Sequence, residues 1–189
     1  MMLLLIFLFS KLWDKSFTTT AMSYGIESES KARHQYLDDS KKLQPNFDIQ
    51  ETGLWVSPSY PELACSPDGI VTDPRLITGN NETGLLEIKC PAILKDSDIA
   101  KFDTILTKRQ VSRFCLQKSN GIIKLKTSHS YYYQVQMQMA LTGHKWCDFV
   151  VWSNKGYIVD RIQFNQQFWC DMCSKLISFH HTKLCPEFF

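Results

Sequence analysis

The segment Leu85-Leu86-Glu87-Ile88-Lys89-Cys90-Pro91 says most about how this chain folds. It is an apolar run of strand length, closed by a proline that cannot continue a ladder. In a strand, side chains alternate, so Leu86, Ile88 and Cys90 face one way and Glu87 and Lys89 the other. Such a strand belongs inside a sheet covered on both faces, which places a carboxylate and an ammonium side by side in a dry setting. Burying them is costly unless a partner or a metal compensates. An acidic residue two before a lysine occurs also at Glu29-x-Lys31 and Asp39-x-Lys41. Those two pairs fall on a predicted helix and point in different directions. Only Glu87-x-Lys89 lies inside an apolar strand.

The surrounding pattern predicts a mixed α/β domain, a central sheet flanked by helices. Thr18-Thr19-Thr20 supplies cap residues for a long helix over 21–43, with Met22, Ile26, Ala32, Tyr36 and Leu37 forming its inward stripe and Glu29 on or near it. Residues 46–90 read as a run of strands, including 53–57, 63–65, 70–71 and 85–90, with a loop over 72–83. Helices are expected over 98–118 and 131–142. A hairpin is expected from 148–152 and 157–162 around Ser153-Asn154-Lys155-Gly156, and a closing amphipathic helix over 166–179. With 189 residues and 44% hydrophobic content, one domain with a real core is expected, and no linker divides it. Residues 1–9 are apolar, and 2–14 read as the buried face of a first helix. The signal-peptide alternative has no basic residue in front and no clean cleavage site behind. Seven cysteines, an odd number spread along the chain with several in apolar runs, suit reduced, buried thiols in an intracellular protein better than a disulfide framework.

The net charge of +2 announces no nucleic acid by itself. Eight basic residues between Lys95 and Lys126, against three aspartates, could track a phosphate backbone or form a solvated surface. The chemistry concentrates on Ser66-Pro67-Asp68-Gly69 and on the Glu87 strand. If Asp68 lies on a neighbouring strand, it brings a second carboxylate to Glu87. Two carboxylates plus the Ile88 carbonyl make an all-oxygen site suited to Mg²⁺ or Mn²⁺. The competing reading is a plain Glu87–Lys89 salt bridge in a purely structural domain. On a helix over 131–142, Tyr131, Gln134 or Val135, and Gln138 share one face, and buried glutamines there need polar partners.

Four blocks, in order, resemble one family. Ala21-Met22-Ser23-Tyr24-Gly25-Ile26-Glu27-Ser28-Glu29 is similar to the A-M-x-(W/Y)-G-x-x-x-E signature of lambda exonuclease and YqaJ-like viral recombinase nucleases. Ser66-Pro67-Asp68-Gly69 resembles their (S/T)-P-D-G, and Leu85–Pro91 their L-E-I-K-C-P. Tyr132-Tyr133-Gln134-Val135-Gln136-Met137-Gln138 resembles their Y-Y-x-Q-V-Q segment. The resemblance implies a restriction-endonuclease-like fold of the PD-(D/E)XK class and Mg²⁺-dependent cleavage of DNA, with duplex ends as substrate and roles in recombination and repair. It implies that Asp68 and Glu87 bind metal, that Lys89 contacts the attacking water or the scissile phosphate, that Glu29 lines the site from its helix, and that Gln134 approaches from a later one. It allows a ring-shaped trimer. Family members carry a further amino-terminal segment that engages the DNA end. About twenty apolar residues precede the Ala21-Met22 block here, so an abbreviated domain or a fragment of a longer gene product is expected, and processive action is not expected of it as a matter of course. A catalytically idle DNA-binding module is the rival reading. Cys170-x-x-Cys173, His180-His181 and Cys185 have the ligand types of a zinc site, but the same stretch has helical amphipathicity and is read as a closing helix. His129 and His144 read as ordinary surface or core histidines. No membrane segment is expected; placement is intracellular, nuclear or cytoplasmic.

Overall fold

The computed structural model describes residues 18–76 and 82–187, so the expected helix over 2–14 lies outside the described residues. Helix α1 spans Thr20–Leu43. Thr19 caps it, its Oγ1 accepting from the Met22 N–H at 3.2 Å, and Lys41 and Lys42 complement the dipole at its last turn. The next strands are β1 (Asp48–Gln50), β2 (Trp55–Val56), β3 (Ala64–Cys65), β4 (Gly69–Thr72) and β5 (Thr83–Lys89). Then come α2 (Phe102–Ile105), α3 (Lys108–Arg113), the hairpin β6 (Leu116–Ser119) and β7 (Ile122–Leu125), and α4 (Ser130–Thr142). The chain closes with β8 (Trp146–Ser153), β9 (Gly156–Gln163) and α5 (Gln166–Phe179).

Five strands form one mixed sheet in the order β1-β4-β5-β8-β9. Only β5 and β8 run parallel, with Glu87 beside Phe149; the other neighbours are antiparallel. A parallel pair needs a long crossover, and α2, α3, the β6–β7 hairpin and α4 make it. The two faces of the sheet are both covered. Leu85, Phe149 and Val151 pack with Val135 and Met139 of α4 and with Phe102 and Leu116. Leu86, Ile88, Val150 and Trp152 pack with Ala32 and Tyr36 of α1. This double cover explains the near-continuous apolar runs of β5 and β8.

Two expectations need correction. The single helix over 98–118 is instead a 3₁₀ turn (Ile99–Lys101), α2 and α3, ending in a strand. Leu106 is extended, and Thr107 and Gln110 form a reciprocal capping box that starts a new helix. Asn120 and Gly121 both have positive φ (50° and 77°), the geometry of a tight hairpin turn, and they fold β6 onto β7. On α1, Ala32 and Tyr36 are buried as expected, but Met22 and Ile26 are 52% and 70% exposed. The first turns of α1 edge a cavity instead of resting on the sheet.

Candidate active site

The Pro67-Asp68-Gly69 corner is fastened to β5 twice. The Asp68 N–H donates to the Leu86 carbonyl at 3.0 Å, and Asp68 Oδ2 accepts from the Ile88 N–H at 2.6 Å. Gly69 is needed at this corner: a Cβ there would lie 3.0 Å from Ile49 Cγ2 and 3.1 Å from the Gln50 carbonyl, crowding β1. Asp68 therefore reaches its neighbour strand beside Glu87, as β4 pairs Gly69 with Leu86.

Glu87 is 1% exposed on the α4 face of the sheet. Lys89 Nζ and Gln134 Nε2 both donate to Glu87 Oε1, the glutamine at 2.7 Å. Gln138 Nε2 donates to Glu87 Oε2 at 2.7 Å. Gln134 and Gln138 stand one turn apart on α4, so a single helix face holds both oxygens of the carboxylate. Gln138 Oε1 is left buried without a partner among the described residues. Lys89 Nζ lies 4.7 Å over the Tyr131 ring, one turn before Gln134. Burial works against its charge, but the Glu87 carboxylate outweighs that, and Lys89 holds its proton more tightly than a free lysine. Asp68 also holds its proton more tightly, for a different reason. Burial, then the charge of Glu87, and to a lesser extent that of Glu29, push its carboxyl up to about 7, against the Ile88 N–H and Lys89, which pull it down.

Glu29 stands across the opening on α1. It takes a hydrogen bond from Arg33 at 2.7 Å, and Arg33 also donates to Glu51. Glu29, Lys89 and Tyr131 line one cavity of about 550 Å³, whose walls include the first turns of α1, the end of β5 with Pro91–Ile93, and Arg113. The structure thus brings Asp68, Glu87, Lys89, Ile88 and Gln134 together, with Glu29 on the facing wall. Of the basic stretch, Arg113 lines the cavity, whereas Lys126 Nζ is spent on the Val111 and Ser112 carbonyls. Two carboxylates, Asp68 and Glu87, stand beside Lys89, with Glu29 held by Arg33 on the facing wall, and the donors are all oxygen. An all-oxygen donor set has the chemistry of a site for a hard divalent cation, which would offset both the burial and the Glu87 charge that raise Asp68.

A second buried charge cluster had no place in the sequence reading. On the α1 face, Asp148 of β8 is fully buried and accepts two hydrogen bonds from Arg161 (2.7 and 2.8 Å) and one from Tyr36 (2.6 Å). Arg161 also donates to Asp73 at 2.8 Å, Arg75 clasps Asp73 from the other side, and the Arg161 guanidinium lies 3.9 Å over the Trp146 ring. The signal was present: an aspartate inside the apolar run Trp146–Trp152 carries the same information as Glu87 inside its own. Of the seven cysteines, Cys65, Cys115, Cys147 and Cys173 are buried as expected, whereas Cys90 and Cys185 are half-buried and Cys170, on the outer face of α5, is exposed.

A mixed sheet that sets an acidic residue at the corner leading into one strand beside a Glu-x-Lys pair on the next is the arrangement expected of a PD-(D/E)XK-type domain. The model of the YqaJ-like viral recombinase domain matches residues 7–145, and the chain belongs to that family. Among solved structures, the chain is similar to LHK-Exo in complex with dAMP, at 27% identity and a TM-score of 0.59, over 87% of this chain and 69% of that one. It is equally similar to the alkaline exonuclease LHK-Exo from Laribacter hongkongensis, at 26% identity and a TM-score of 0.59, over 89% and 71%. A search of curated proteins finds no match. Among the described residues, no helix is long and apolar enough to cross a membrane.

Proposed function

We propose that the chain is a Mg²⁺-dependent deoxyribonuclease that processes DNA ends in recombination. The observation that carries this reading is Glu87: an all but fully buried carboxylate clamped by Gln134 and Gln138, beside Asp68 on one side and Lys89 on the other. A salt bridge that only stabilised the fold would have no use for a second carboxylate, Asp68, fastened beside it on the neighbouring corner.

Asp68, Glu87 and the Ile88 carbonyl would hold the ion, with Mn²⁺ able to replace Mg²⁺. A bound divalent ion supplies hydroxide near neutral pH and offsets charge on the phosphoryl oxygens. The protein's own groups do the positioning. Gln134 and Gln138 hold Glu87 in one orientation, so its free lone pairs keep a constant direction. Lys89, kept cationic by Glu87 and seated on Tyr131, directs positive charge at the reacting phosphate and its nucleophile. Glu29 lines the site from α1, and Arg113 adds a positive group at the cavity wall for the DNA backbone. The similarity to an alkaline exonuclease supports linear DNA with free ends as substrate; assembly as a homo-oligomer, a trimer by family resemblance, and placement in nucleus or cytoplasm belong to the same reading.

The test is digestion of end-labelled linear duplex and of closed circular DNA with Mg²⁺, Mn²⁺ or EDTA. Metal-dependent loss of the linear DNA, with the circle spared, supports the reading, and the end label released first gives the polarity. Binding of DNA without cleavage under any metal would replace the enzyme with an idle DNA-binding module.

A further inference from the structure

The carboxy-terminal turn gathers a second set of ligand-type side chains, none of which lines the cavity of the acidic centre. After Phe179, α5 widens into a π-helical turn, His180–Leu184, and the Cys185 N–H donates to the His180 carbonyl. This five-residue bond lays Cys185 directly over His180. Cys185 Sγ is 3.5 Å from His180 Nδ1 and 3.8 Å from its Nε2. The His181 ring stands 5.3 Å from that of His180 and nearly perpendicular to it. One ligand atom each from His180, His181 and Cys185 lies within 4.8 Å of the other two. Outside this group of three but next to it, Glu62, in the loop between β2 and β3, has a side chain only 15% exposed and sets Oε1 3.8 Å from His181 Nε2.

One spacing, Cys185 Sγ to His180 Nδ1, already has the length of a tetrahedral edge, and a small rotation of the His180 ring would turn that nitrogen toward a shared ion. With metal–sulfur and metal–nitrogen bonds of about 2.3 and 2.0–2.1 Å, the sulfur–nitrogen edge of a tetrahedron is about 3.5 Å, which is the Cys185–His180 separation found here. Two imidazoles and a thiol exclude Mg²⁺ and Ca²⁺, which want oxygen, and select a borderline-soft ion. A thiolate and a carboxylate together balance a divalent charge. A Cys–His hydrogen bond alone would explain His180 and Cys185, but not the second histidine and the sheltered carboxylate of a different element. Cys170 and Cys173 take no part in the cluster; they sit on α5, one exposed and one buried. π-Turns of this kind are frequent where a helix serves a site.

We propose that His180, His181 and Cys185, with Glu62 as the fourth donor, form a structural zinc site that fastens the carboxy-terminal turn to the β2–β3 loop. The experiment is titration of the untagged, reduced chain with Co²⁺, then displacement with Zn²⁺, alongside thermal melting. One equivalent of Co²⁺ is expected to give the absorption of a cobalt–thiolate bond, and Zn²⁺ to abolish it and raise the melting temperature. Cys185→Ser, nearly isosteric, is expected to remove the thiolate band and the zinc-dependent shift, and His181→Ala, at an exposed position, to weaken Co²⁺ binding at least about tenfold. Glu87→Gln serves as the control for the acidic centre and leaves the band unchanged. Far-UV circular dichroism checks that each variant is folded. No thiolate band in the wild type, or a band that survives both Cys185→Ser and His181→Ala, overturns the proposal.

Discussion

Arg161→Met tests the buried charge cluster on the α1 face. The guanidinium makes two hydrogen bonds to Asp148 and one to Asp73, at 2.7 to 2.8 Å, and stacks on Trp146. Methionine keeps most of the stem's volume and removes all three bonds. Asp148 then has only the Tyr36 hydroxyl, and Asp73 only Arg75. Removing one partner of a buried ion pair costs about 3–5 kcal/mol. For a domain of this size that lowers the melting temperature by about 6–20 °C. The effect depends on pH with a definite sign. Arg75 foremost, and Arg161 with it, hold the Asp73 carboxyl below the usual carboxylate range, against the burial that raises it. Stability from such a group is complete above its unfolded value of about 3.9 and is lost as pH falls through the folded value. The gap between wild type and variant is therefore widest near neutral pH and narrows in acid. Urea unfolding at neutral and acidic pH measures it. A loss below about 1 kcal/mol near pH 7, or a gap that widens in acid, would refute the reasoning.

Gln138→Leu removes the donor to Glu87 Oε2 while keeping the helix packed, so the Mg²⁺ concentration needed for half-maximal cleavage should rise about 10–100-fold; an unchanged Mg²⁺ dependence would show that Gln138 is structural only. Gly84→Ala places a Cβ 2.2 Å from the buried Trp146 ring, which the Arg161 guanidinium covers on one face, and should destabilise the fold by about 1–3 kcal/mol or more. Thermal melting checks it, and a neutral result would mean that Trp146 repacks freely.

The legible part of the sequence is the part that short-range physics decides. The cap at Thr19, the apolar strand closed by Pro91, the β8–β9 hairpin and the α5 helix over 166–179 all come from local pattern. So does the pairing of Asp68 with Glu87, once two strands frame them. The misses have a common cause. The segment over 98–118 has helix-compatible composition, yet Thr107 offers a better start than continuation offers a helix, and the Asn120-Gly121 turn draws the residues on either side of it into a hairpin. β1 has three residues, Asp-Ile-Gln, with no strand signal of its own; it exists because β4 pairs with it. Met22 and Ile26 keep helical spacing but line the cavity at the end of β5 instead of packing into the core, a matter of where α1 sits. The Asp148–Arg161–Asp73 cluster joins residues 88 positions apart, and only the tertiary fold reveals that each buried charge has its partner.

The central claim is that Asp68 and Glu87 hold the ion while Lys89 acts on the phosphate. The measurement that separates these roles is Mg²⁺-dependent single-turnover cleavage of linear duplex DNA, with metal binding measured by calorimetry, for wild type, Asp68→Asn, Glu87→Gln and Lys89→Met. The account predicts that both carboxylate variants lose metal binding and cleavage together, by at least about 100-fold in rate, and that Lys89→Met still binds the ion yet cleaves at least about 100-fold more slowly. Cleavage by Glu87→Gln at a rate within a few-fold of wild type would contradict it.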